Sequence, residues 1–125
     1  MSKLVHEQET YLIRGAAFEV FNEMGSGFGE GVYQECLELA FAERAVEFEA
    51  QPRVPVFFKQ RKLRKRYVPD FICFGSIIVE IKAIDQLTGH DTAQMLSYLK
   101  ATGFKLGLLT NFGNKRGIEI QRVLL

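Results

Sequence analysis

Residues 68–84 read VPDFICFGSIIVEIKAI. Two apolar runs flank a Phe-Gly-Ser turn, which is the pattern of a β-hairpin. Three charged residues stand inside it: Asp70, Glu80 and Lys82. Ionised side chains in buried strands are costly to desolvate unless something pairs with them. A chain with such a hairpin must bury most of it in a sheet and still find partners for an acid on one arm and an acid and a base on the other.

Strand geometry narrows the choices. Residues two apart point to the same face, roughly 6.6 Å apart. Glu80 and Lys82 therefore share a face with Ile78 and Ile84, while Ile77, Val79, Ile81 and Ala83 take the other. Where the register permits, the Asp70 carboxylate meets Glu80 and Lys82 on one face. Two carboxylates brought close repel, and one tends to protonate. A divalent cation removes that conflict, because Mg²⁺ takes one or two carboxylates and completes its shell with waters and a phosphate oxygen. A lysine beside such a site can orient or deprotonate an attacking water, or neutralise charge on a phosphodiester under attack. The alternative is a buried Lys82 salt-bridged to Glu80 or Asp70; a Glu-x-Lys spacing alone is common and favours that plainer arrangement.

The chain has 125 residues, enough for one core and too few for two. Its net charge of +1 gives no global pull toward nucleic acid or membrane, so any basic surface must be local. The N-terminal MSKLVHEQET has no apolar run of leader length, and no segment is long enough to span a membrane. Cys36 and Cys73 lie far apart in apolar segments, as two buried thiols of a cytoplasmic protein would.

Apolar periodicity predicts helices over about Glu7–Met24, Glu30–Ala45 and Thr88–Ala101, the last stopping at Gly103. Leu12, Ala16, Val20 and Met24 form a stripe on the first, and Tyr33, Cys36, Leu37, Ala40 and Phe41 on the second. Between the second and third helices the pattern is extended. VPVFFK, RYVPDFICF and IIVEIKAI read as strands, with a turn inside KQRKLRKR and a bend at Pro69. KLGLLTNF reads as a strand buried on both faces and IEIQRVLL as a last strand. The expectation is an α/β domain over residues 1–125, with a central mixed sheet flanked by helices.

Pro69-Asp70 followed by Glu80-Ile81-Lys82 resembles the PD-(D/E)xK motif of restriction-endonuclease-like nucleases. Gly27-Phe28-Gly29-Glu30-Gly31-Val32-Tyr33 is similar to the signature of the GxxExxY family within that superfamily, as are AQMLSYLKATG at 93–103 and LLTNFG at 108–113. The resemblance implies an αβββαβ core preceded here by an extra N-terminal helix. It also implies a site using Mg²⁺ or Mn²⁺, with Asp70 and Glu80 as ligands and Lys82 acting on the water or the transition state. An acid on the preceding helix often joins such a site. Glu30 leans toward the apolar stripe of its helix, unlike Glu35 and Glu38, and fits that role; its other reading is favourable placement at a helix N-terminus. The resemblance likewise brings Gln94 near the site, to hold a water or a phosphate. Tyr33 reads as core, and His90 and Tyr98 as a solvated polar face.

KQRKLRKR carries Lys59, Arg61, Lys62, Arg64, Lys65 and Arg66. On a hairpin tip these could lie along a nucleic-acid backbone, with Lys115 and Arg116 extending the patch, or they could be a solvated turn that guards a sheet edge. The functional expectation is a metal-dependent nuclease hydrolysing DNA, before RNA. A non-catalytic module that keeps the fold and binds nucleic acid or protein is the alternative. The abundant phenylalanine is compatible with a homodimer and equally with core packing.

Overall fold

The computed structural model describes residues 6–125; Met1–Val5, part of the segment read above as lacking a leader, lie outside the described residues. Three helices and seven strands follow in the order α1 (Glu7–Met24), α2 (Glu30–Glu43), β1 (Phe48–Ala50), β2 (Val54–Phe58), β3 (Arg61–Tyr67), β4 (Phe71–Cys73), β5 (Ile77–Lys82), α3 (Gly89–Thr102), β6 (Leu106–Asn111) and β7 (Glu119–Leu124). Five strands form a mixed sheet in the order β1-β4-β5-β6-β7, and β2 pairs with β3 in a separate hairpin. Among the described residues only the β5–β6 pair is parallel, joined through α3 as a parallel crossover requires.

Each face of the sheet buries its own cluster. On one face Ile13, Ala17 and Val20 of α1 and Tyr33, Leu37 and Phe41 of α2 cover Ile77, Val79 and Ile81 of β5. On the other, Met95 and Leu99 of α3 join Val54 and Tyr67 of the hairpin over Ile72, Ile78 and Leu109. The alternation expected for β5 is therefore observed, and Glu80 and Lys82 fall on the α3 side with Ile78. Each buried aliphatic side chain contributes on the order of 1.5–3 kcal/mol of transfer free energy, so slipping β5 by one residue would forfeit both clusters at once. β6 is buried at all six positions, as its continuous apolar run implies.

Three expectations change. RYVPDFICF is not one strand: β3 ends at Tyr67, and Val68-Pro69-Asp70 carries the chain into a different sheet. Pro69 has no amide hydrogen to continue a ladder, so the bend expected there becomes a full break. The turn in KQRKLRKR is only Lys59-Gln60, both with left-handed φ of 49° and 66°, as a two-residue hairpin turn demands; Arg61 to Arg66 are strand. Finally, the first strand of the central sheet is the three-residue β1 rather than VPVFFK. The core order α2-β1-β4-β5-α3-β6 is αβββαβ, with β2–β3 inserted between its first two strands.

Candidate active site

The β4–β5 register pairs Phe71 with Val79, which brings Asp70, the residue before β4, opposite Glu80. There side chains take over from the ladder. Asp70 Oδ2 accepts the Ile81 amide at 2.7 Å, and the Asp70 amide donates to Glu80 Oε1 at 3.3 Å. The Asp70 carbonyl accepts the Gln51 amide at 2.9 Å and Gln34 Nε2 at 3.3 Å. The break after Pro69 thus sets Asp70 down rigidly beside β5, with bonds from β5, α2 and the end of β1.

Glu80 is half-buried, and Tyr67 donates its phenolic hydrogen to Glu80 Oε2. The Thr110 hydroxyl fixes the Glu80 carbonyl from β6 at 2.9 Å. Burial pushes the Glu80 carboxyl up to about 7; the Tyr67 bond opposes that rise and the neighbouring Asp70 adds to it. Burial, then the Glu80 charge, keep the Tyr67 phenol above its ordinary range, so Tyr67 is a donor. Its ring stacks on Tyr98 with centroids 3.8 Å apart and an angle of 9°. Tyr98 is therefore half-buried packing and not the solvated residue expected from the helix pattern.

Lys82 is bonded to neither Asp70 nor Glu80. Its Nζ donates to Gln94 Oε1 at 3.3 Å and lies 3.8 Å from Asp91 Oδ1. Asp91 also accepts the Thr88 amide and hydroxyl at 2.9 and 3.1 Å, closing a capping box at the start of α3. The Thr88 backbone bond holds the Asp91 carboxyl below its usual range. The ion pair of Lys82 with Glu80 or Asp70, the plainer reading of the motif, is absent among the described residues.

Glu30, the first residue of α2, is exposed, yet its carboxyl is raised, first by partial desolvation and then by Asp70, while Lys82 lowers it. It shares the local field of the hairpin charges. Glu35 faces solvent as expected, but Glu38 is half-buried and accepts Gln34 Nε2 at 3.2 Å. Tyr33 is wholly buried, stacked on Phe112 at 4.5 Å, and its hydroxyl binds the Gly25 carbonyl at 2.6 Å. His90 is exposed. Cys73 is buried, with its thiol pushed up to about 12 by burial, whereas Cys36 is only half-buried.

Residues 7–123 match the sequence profile of the PD-(D/E)XK nuclease superfamily. The chain belongs to that superfamily. No curated protein and no solved structure gives a match. PD-(D/E)XK membership brings a nuclease-like function, a nucleic-acid substrate and a chemistry that generally depends on a divalent metal. No helix among the described residues is long and apolar enough to cross a membrane.

The donor set suits a hard cation. Asp70 and Glu80 present oxygens side by side, and the Glu80 carboxyl is raised first by burial and then further by the neighbouring Asp70 charge. No group of three or more His, Cys, Asp or Glu side chains that could hold a metal ion is found among the described residues; a Mg²⁺-type ion needs only one or two carboxylates, with water and phosphate completing its shell. Residues missed in the sequence also support this PD-(D/E)XK site: Gln34, Tyr67 and Asp91. Only Asp91 had a readable signal, in the Thr88-Gly-His-Asp91 capping pattern.

Proposed function

We propose that the protein is a metal-dependent phosphodiesterase acting on nucleic acid, with Asp70 and Glu80 as ligands for Mg²⁺ or Mn²⁺ and Glu30 as a supporting acid. The observation that carries this reading is the Asp70–Glu80 juxtaposition with Lys82 standing free of both. When bound there, the metal would lower the pKa of a water and stabilise charge at phosphorus. Lys82 would orient the attacking water or meet the developing charge. Gln94 and Asp91 position its ammonium from α3. Tyr67 and the Asp70 amide hold Glu80 in orientation.

Lys59, Arg61, Lys62, Arg64 and Lys65 are exposed along the hairpin and would follow a phosphate backbone. Arg66 differs: its Nη1 donates to the carbonyls of Leu63, Arg64 and Lys65 at 2.6, 3.2 and 3.3 Å, and so stabilises a bulge. The GxxExxY placement draws support from Gly27, Glu30 and Tyr33, since Tyr33 ties down the glycine loop that starts α2 at Glu30. DNA is the first substrate to test.

The test is incubation of pure protein with labelled single- and double-stranded DNA and RNA in Mg²⁺ or Mn²⁺. Cleavage should disappear in Asp70→Ala and Lys82→Ala. Cleavage that persists in both would assign the activity to a contaminant. No cleavage together with no metal binding would leave a binding module with a nuclease fold.

A further inference from the structure

The inserted hairpin carries an unusual combination of side chains. Residues 53–69 hold seven of the sixteen Lys and Arg residues and none of the fifteen acids. The remaining nine cations therefore sit among fifteen acids, so the near-neutral chain is polarised into a basic ribbon on an acidic body. Two large apolar rings stand within the basic ribbon. Phe57 is 45% exposed and Phe58 61% exposed, at the end of β2. Their cross-strand partners are Lys62 and Arg61. Lys59 Nζ lies 5.5 Å from the centre of the Phe58 ring.

The two rings point to opposite faces of the ribbon, because they are consecutive in a strand. The register shift puts three residues of β3, Leu63 to Lys65, against one of β2, and such bulges bend and twist a ribbon. The ribbon also ends at the chemistry: Tyr67, its last residue, bonds Glu80. From Arg61 to Tyr67 the strand reaches at most about 20 Å.

We infer that this hairpin is a binding platform for single-stranded nucleic acid, in which Phe57 and Phe58 stack on unpaired bases and the flanking cations hold the phosphates, leading the strand toward Glu80. Phenylalanine has no donor or acceptor for base edges. What it offers is a ring face, and a base shows its own face only when it is unstacked. A duplex hides those faces, so the cations alone would serve it and the rings would stay wet. Aromatic rings interleaved with exposed cations match the chemistry of a single strand. This inference rests on the phosphodiesterase reading for its substrate class, and it is tested separately from cleavage.

Fluorescence anisotropy in EDTA, where no metal-dependent cleavage occurs, compares a labelled single strand with the same sequence as a duplex. Phe57→Ala and Phe58→Ala should each weaken single-strand binding at least about fivefold and leave duplex binding within about twofold. Phe58→Trp should restore it. Thermal unfolding checks that each variant is folded. Equal losses on both substrates, or none on the single strand, would overturn the inference. Sedimentation that shows a dimer lost in the alanine variants, with unchanged nucleic-acid affinity, would assign the rings to a second copy of the chain instead. Phe-dependent single-strand binding without cleavage keeps this inference and removes the phosphodiesterase reading. Cleavage indifferent to both rings does the reverse.

Discussion

Tyr67 donates its phenolic hydrogen to Glu80. That bond joins the root of the inserted hairpin to a candidate metal ligand on β5, and the Tyr67–Tyr98 stack joins the same ring to α3. The hairpin, β5 and α3 thus meet at one aromatic ring.

Tyr67→Phe keeps the stack and deletes the bond. The bond favours ionised Glu80, so its loss lets burial raise that carboxyl further. The acidic limb of the pH–rate profile should move to higher pH, with activity recovering toward wild type above it. Stability should fall by about 1 kcal/mol, the worth of one hydrogen bond. An unmoved acidic limb would show that Tyr67 serves packing alone.

Glu80 also makes metal-free stability depend on pH. Its folded pKa of about 7 lies above its ordinary 4.5, so the folded state binds the proton more tightly than the unfolded one. The stabilisation is complete below about 4.5 and disappears as pH rises through about 7. Glu80→Gln has no such titration. At about 1.4 kcal/mol per pKa unit, the variant should exceed wild type by roughly 3–4 kcal/mol at pH 8.5 in EDTA and nearly match it at pH 4.5. Urea unfolding at the two pH values measures the difference, and a gap that does not change with pH would refute the assignment.

Metal binding and chemistry should separate by residue. Mn²⁺ at a hundredfold excess over Kd should stabilise wild type by about 2.7 kcal/mol at pH 8. Asp70→Asn can still accept the Ile81 amide but loses the charge, and should lose most of that stabilisation. Lys82→Ala should keep it while losing cleavage, because Lys82 touches Asp91 and Gln94 and neither Asp70 nor Glu80. Calorimetric titration of the three proteins decides the matter.

The sequence exposed the site where local rules were sufficient. The period of β5 assigned Glu80 and Lys82 to one face, and the short Phe-Gly-Ser turn left little freedom to the register that brings Asp70 across. Continuous apolar residues marked β6. What stayed hidden depended on long-range docking. β1 is three residues, two of them exposed, too short for an alternation to register, so VPVFFK reads as the core strand in its place. The partners of Lys82 depend on how α3 is rotated over the sheet. Gln34 is a polar residue next to Tyr33 in an apolar stripe, and only the packing of α2 against Asp70 shows why it is buried.

Asp91 has two roles that two substitutions separate. Its carboxylate caps α3 through Thr88 and faces the Lys82 ammonium at 3.8 Å. Asp91→Ala removes both and should cost about 1–2 kcal/mol, as lost caps do. Asp91→Asn retains an oxygen for Thr88 and removes only the charge, so it should keep most of the stability. If the Asp91 charge positions Lys82, the asparagine variant should show a lower kcat with little change in KM, because Lys82 would act on the transition state more than on the bound substrate. A variant with unchanged kcat would leave Gln94 as the residue that places the ammonium.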